Sequence, residues 1–196
     1  GGCFSQGYIV ESAMGMTGFL KALDFTGALS HLRDPASAFL VSVQLFNFER
    51  TICEACKSHD RIVTAISSGA KQLNPADLAS VVQYLIFELA DGDVRSHLDS
   101  MTEYESAWAL RALHHIAVGL QQLHSTDYSH QDLKPSNVMV FGKTDSKIGD
   151  LGRVVAKAIT GPNDNFDIAG DRAYAPPELL YGYRHPDWSP RRLGCD

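Results

Sequence analysis

His130-Gln131-Asp132-Leu133-Lys134-Pro135-Ser136-Asn137 places a carboxylate, an ammonium and an amide within one short stretch, and Asp150-Leu151-Gly152 follows downstream. Phosphoryl transfer from a nucleotide needs this inventory. One carboxylate (Asp132) orients an attacking hydroxyl and takes its proton. An amide and a second carboxylate (Asn137, Asp150) hold a divalent cation, and an ammonium (Lys134) offsets the moving charge. Each short string alone is common. Their conjunction at this spacing, with Tyr174-Ala175-Pro176-Pro177-Glu178 beyond, makes an ordinary turn-rich loop a poor explanation.

The order H-x-D-x-x-x-x-N and then D-x-G resembles the protein kinase family. The resemblance implies an α+β, bilobal fold: a small β-rich N-lobe with one helix over 1–88, and a partial helical C-lobe over 89–196, the domain being cut at both ends. Lys134 and Pro135 resemble serine/threonine rather than tyrosine kinases. The implied activity is ATP- and Mg²⁺-dependent transfer of the γ-phosphoryl group to Ser/Thr hydroxyls of protein substrates. Asp132 is then the base, Lys134 neutralises the γ-phosphate, and Asn137 and Asp150 bind Mg²⁺. His130 takes a structural place under Leu151. The alternative is a catalytically impaired pseudokinase that acts by docking. A small-molecule phosphotransferase of related fold fits less well, because Pro177-Glu178 matches the end of the kinase A-P-E segment.

The elements that must position these groups are legible in outline. Strands are expected over 8–11, 17–25, 61–68 and 81–89, and a polar turn over 69–77. A helix is expected over 36–57, with Phe39, Val43, Phe46, Ile52, Cys53 and Cys56 at helical spacing and Asp34-Pro35 before it. A second is expected over 105–125, with Leu110, Leu113, Ile116, Ala117, Leu120 and Leu123 as its apolar stripe and His114, His115 and His124 as surface or packing residues. By resemblance, Gly2, Phe4 and Ser5 belong to the phosphate loop, Phe4 as its tip and Ser5 in place of the third glycine. Lys21 holds the α- and β-phosphates and pairs with a helix glutamate, best Glu49, with Glu54 as the other choice. Phe87 sits behind the adenine, and Glu88, Leu89 and Ala90 form the linker whose backbone meets the base. Phe87 as plain core is equally consistent with the residues alone.

Three departures from the family pattern carry expectations. Phe19 stands where an alanine lines the adenine pocket, so a ring should shrink or tilt the nucleotide site. Gln131 replaces the arginine that receives an activation-loop phosphate, so phosphorylation between Val154 and Ala169 is not expected to be the switch. Asp171 replaces a threonine; it is expected to contact Lys134 and to repel Asp132. Asp196 resembles the aspartate that opens the central C-lobe helix and braces the catalytic loop through its backbone.

Composition narrows the class. The 196 residues are 44% hydrophobic and 20% charged, an ordinary globular balance. A net charge of −6 gives no electrostatic case for nucleic acid or an anionic membrane. No apolar run approaches a membrane span, so no membrane contact by this segment is expected. Cys53 and Cys56 form a C-x-x-C without a second ligand pair, which reads as two buried thiols rather than a zinc site. A reducing, cytoplasmic setting follows, whether for the whole protein or for a cytoplasmic domain of a larger one. Nothing in the sequence marks an oligomeric state.

Overall fold

A computed structural model describes residues 5–23, 35–74 and 80–196. They form two compact units, one of 1–54 with 64–89 and one of 55–63 with 90–196. The sequence placed the division at 88/89; residues 55–63 cluster with the second unit, where Val63 N donates to Ile148 O at 2.8 Å and Ile148 N to Arg61 O at 2.9 Å.

The first unit is a sheet with one helix. Strands β1 (Ser5–Glu11) and β2 (Thr17–Leu23) form an antiparallel hairpin, closed where Ser12 Oγ accepts from the backbone N–H of Met14 and Met16 and Gly15 adopts φ +79°. With β3 (Ala65–Gln72) and β4 (Val81–Phe87) they give the order β1-β2-β4-β3, antiparallel throughout. Residues 69–72, expected as part of a turn, continue β3 as an edge strand. Lys71 and Gln72 are exposed, and β4 pairs with the segment along its length. Helix α1 (Pro35–Ala55) buries Ser42, Phe46, Glu49 and Cys53, a stripe at three- and four-residue steps. Glu54 lies off that stripe and is exposed.

The second unit holds β5 (Gly92–Asp93), α2 (Val94–Ser100), α3 (Ser106–Ser125), β6 (Tyr128–Ser129), the hairpin β7 (Val138–Phe141) and β8 (Asp145–Ile148), β9 (Val155–Ala156), α4 (Pro177–Leu180) and α5 (Trp188–Arg192). Asp93 caps α2 by accepting from Ser96 N at 2.8 Å. Val94, Trp108, Ala112, Val138 and Val140 form a core under which Leu133 packs. Through Leu133 this core meets the 130–137 loop. Helix α3 buries Trp108, Ala112, His115, Gly119 and Leu123. Leu110 and Leu113, expected in the buried stripe, are 69% and 62% exposed, and Ala117 is exposed too. Spacing alone offered two faces. Close approach chose the one through Gly119, where a Cβ would lie 2.9 Å from Ile148 Cδ1. Among the described residues, no helix is long and apolar enough to cross a membrane.

Two of the histidines are more than packing. His115 is buried and its Nδ1 accepts from Ser146 N at 3.1 Å, while His124 Nε2 meets Asp196 Oδ2 at 3.0 Å. Burial, followed by the nearby Arg61 charge, holds His115 below its usual pKa of 6.5; Asp145 works against that shift. The folded form therefore stays neutral where the unfolded chain takes up a proton. The stabilising contribution is complete above about pH 6.5 and is lost as pH falls from there through the lower folded value. Urea midpoints for wild type and His115→Asn should differ in their pH dependence between pH 7.5 and 5.5, with the steeper acid loss in wild type. Equal slopes would contradict this.

Candidate active site

Asp132 sits on a loop fixed from both sides. From behind, the Asp196 carboxylate, fully buried, accepts from His130 N and Gln131 N at 2.7 Å each, from Ser129 Oγ at 2.9 Å, and contacts His124 Nε2. Beneath, the fully buried His130 joins the loop to the next segment. Its Nε2 meets Gly149 O at 2.9 Å, and its Nδ1 accepts from Asp132 N at 3.2 Å. These bonds fix the Asp132 carboxylate, whose side chain is largely shielded from solvent. Lys134 Nζ lies 3.2 and 3.1 Å from its two oxygens; Asn137 Nδ2 donates to Oδ2 at 3.1 Å and Asp171 N to Oδ1 at 2.7 Å. Asp132 lines a small depression walled by Leu133, Ile168, Ala169, Tyr174 and Leu179.

Asn137 and Asp150 are brought to neighbouring places. Asn137 closes a short 3₁₀ turn after Pro135, and its carbonyl accepts from Gly149 N at 2.8 Å. Its amide nitrogen is committed to Asp132, which turns the side-chain oxygen the other way. Asp150 follows in a left-handed conformation, φ +54°, with an exposed side chain. An amide oxygen and one carboxylate are the donor set a magnesium ion uses when phosphates and water complete its octahedron. Among the described residues there is no cage of three His, Cys, Asp or Glu, and such a site needs none.

In the first unit, Lys21 Nζ lies 2.7 Å from Glu49 Oε1, both side chains largely shielded. The helix glutamate is thus Glu49. Lys21, Phe19 and Gly7 share one face of the sheet, since Gly7 pairs with Lys21 and Ile9 with Phe19. The Phe19 ring lies across Gly7, where a Cβ would come within 2.6 Å of its tip. The ring therefore takes room left by an absent side chain, and is 38% exposed. Phe87 is buried opposite Phe19. Glu88 anchors its own strand end, accepting from Thr64 N through Oε1 at 2.7 Å and donating from its N–H to Thr64 O at 3.1 Å; Leu89 and Ala90 are half-buried beyond it. Ser5 opens β1 opposite Leu23. Gly2 and Phe4 lie outside the described residues.

A protein kinase domain model matches residues 40–190, most of the chain. The chain belongs to the protein kinase family. It is similar to cyclin-dependent kinase 1 of Encephalitozoon cuniculi, 31% identical over 54% of this chain and 37% of that protein. It is similar also to an Aurora kinase of Debaryomyces hansenii (28%, 52% of this chain, 25% of that protein) and to serine/threonine-protein kinase DCLK1 of Rattus norvegicus (30%, 54% and 26%). The chain spans well under half the length of these curated relatives.

The kinase departures acquire definite shapes. Asp171 reaches Lys134 Nζ at 3.8 Å with its Oδ2, the expected contact at long range. Its Oδ1 accepts from Ala173 N at 3.0 Å and caps a 3₁₀ turn, while its backbone N–H points at Asp132. Asp171 thus offers Asp132 a donor as well as a like charge. Gln131 also adopts positive φ, +66°, and is tied into the loop by its side chain.

Ser129, Asn163, Gly170 and Arg192 escaped the sequence reading. Gly170 is the tightest: a Cβ there would lie 2.3 Å from Gln131 O and 2.6 Å from Asp132 Oδ1. The only signal in sequence is a glycine before Asp171. Gly170→Ala should displace Asp132 and lower any turnover about tenfold or more, since misplacement by about 1 Å can cost up to 10²-fold. The check is kcat beside an unchanged thermal midpoint. Wild-type kcat in the alanine variant would show that the loop yields at no cost.

Proposed function

We propose that this chain is the catalytic part of a serine/threonine protein kinase that uses ATP and Mg²⁺, the first unit serving as N-lobe and the second as C-lobe. The observation that supports it best is the setting of Asp132: a largely shielded carboxylate held by Asp171 N, Lys134 and Asn137, on a loop braced by Asp196. A substrate hydroxyl at Asp132 hydrogen-bonds to the carboxylate and loses its proton to it as its oxygen bonds to the γ-phosphorus. The bond from that phosphorus to the bridging oxygen breaks, and the nucleoside diphosphate leaves with the electron pair. Lys134 offsets the charge on the equatorial oxygens. Lys21, held by Glu49, is the residue for the α- and β-phosphates. Asn137 and Asp150 would hold magnesium, which neutralises phosphate charge when bound. Lys134 and Pro135 favour Ser or Thr in a protein as the acceptor.

The acidic net charge of −6 speaks against nucleic acid as a partner. Cys56 and Cys195, thiols outside any disulfide, suit the cytoplasm or a cytoplasmic domain. Burial pushes the Cys56 thiol up to about 12, so it stays protonated and inert.

The pseudokinase reading draws on one observation, the exposed Phe19 ring on the face that carries Lys21. Titration of the native-length protein with Mg-ATP, followed by thermal shift, separates the two. The kinase reading expects stabilisation that disappears when magnesium is chelated and in Asp150→Asn. If Phe19 crowds the base, Phe19→Ala binds Mg-ATP more tightly; no gain removes crowding as an argument. No stabilisation of either protein by Mg-ATP would favour the docking module.

A further inference from the structure

We propose that Arg192 is a positioning residue for Asp132, clasping residues 164–166 to the catalytic loop in a way that needs no phosphate. The inference rests on reading Asp132 as the base.

Arg192 is 6% exposed at the end of α5. Its Nη1 donates to Gln131 Oε1 at 3.0 Å and to Phe166 O at 3.1 Å, and its Nη2 donates to Asp164 O at 2.7 Å. Gln131 returns the contact: its Nε2 donates to Arg192 O at 2.9 Å and to Ser129 Oγ at 2.6 Å. Among the described residues, every hydrogen bond of this guanidinium goes to a neutral oxygen. Burial accordingly draws Arg192 below its usual pKa, with Asp164 and Asp167 opposing that shift through space. A buried cation without a bonded carboxylate is costly to keep, so fixed geometry is what it offers in return.

The start of the same segment is held by similar means. Asn163 is fully buried, and its Nδ2 donates to Gly152 O at 3.0 Å and Val154 O at 3.1 Å. From 152 to 166, side-chain donors grip main-chain carbonyls. At the other end of the clasp, Gln131 sits one residue before Asp132, its backbone N–H on Asp196 Oδ1. A shift of Arg192 therefore moves Gln131, and with it the residue that carries the carboxylate. Gln131 cannot read a phosphate, and the guanidinium that does reach this loop is buried and already engaged.

The test uses the native-length protein and two readouts, hydrogen–deuterium exchange and turnover. In Arg192→Met, exchange should quicken together over 160–169 and 129–133. Turnover should fall roughly tenfold to a hundredfold, the range of a misplaced catalytic group, with KM for Mg-ATP unchanged. In Gln131→Ala, Arg192 keeps both carbonyls, so exchange over 164–166 should stay as in wild type while kcat falls. Phosphatase treatment of wild type should alter neither readout. If Arg192→Met does not fold, Arg192→Lys replaces it: one ammonium cannot span three acceptors, and the same changes should appear at smaller size. Wild-type exchange over 160–169 in a folded Arg192 variant overturns the proposal. So does a phosphate between 154 and 169 whose removal lowers kcat. The exchange arm decides the clasp even if wild type transfers no phosphate, a result that would instead count against the kinase reading.

Discussion

Asp132→Asn should lower phosphoryl transfer by roughly 10²–10⁴-fold, the usual worth of a positioned general base. The substitution keeps shape and removes the proton acceptor. It also disturbs the local bonding. Both Asp132 oxygens accept, Oδ1 from Asp171 N and Lys134, Oδ2 from Asn137 Nδ2 and Lys134. An amide must turn its own donor toward one of those donors, so Asn137 or Asp171 loses a partner. The loss should fall on kcat and leave KM for Mg-ATP near wild type. Steady-state kinetics with a thermal melt checks this, and a folded Asn variant with kcat within a few-fold of wild type would remove Asp132 from the chemistry.

Asp196→Ala should be the most destabilising single change in the second unit. The carboxylate is fully buried and is the acceptor for His130 N, Gln131 N and Ser129 Oγ. Ser129 Oγ keeps Arg192 O as an acceptor at 2.7 Å, but the two backbone donors left without one cost about 1–3 kcal/mol each, so the total is about 2 kcal/mol or more. That is a large share of the roughly 5–15 kcal/mol that holds a domain together. Asp196→Asn, which keeps one carbonyl oxygen, should fall between. Urea unfolding of the native-length protein measures the difference. An alanine variant as stable as wild type would mean that water replaces the carboxylate, and that the loop is not braced from behind.

The polar groups were legible because each lies in a short string whose spacing is itself the signal. Asp132, Lys134 and Asn137 share one loop, and the Gly149–Asn137 backbone bond brings Asp150 beside it. Lys21 was legible as a charge on a half-buried strand, but its partner was not unique. Only the phase of α1, with Glu49 on the buried stripe and Glu54 off it, decides between them. Periodicity failed where two faces of a helix were both apolar, as in α3. It failed again where Gly69, Ala70, Lys71 and Gln72 extended an edge strand whose order comes from β4. Arg192 and Gly170 stayed hidden for a different reason. Arg192 meets Gln131 from 61 positions away, and Gly170 is required by contact with the Asp132 loop rather than by its own turn.

The central claim is tested most directly by incubating native-length protein with γ-labelled ATP and a generic protein substrate, with and without Mg²⁺, and then identifying the labelled amino acid. The account predicts magnesium-dependent phosphoserine or phosphothreonine. No transfer from folded native-length protein, in the presence of Mg-ATP and substrate, would contradict it.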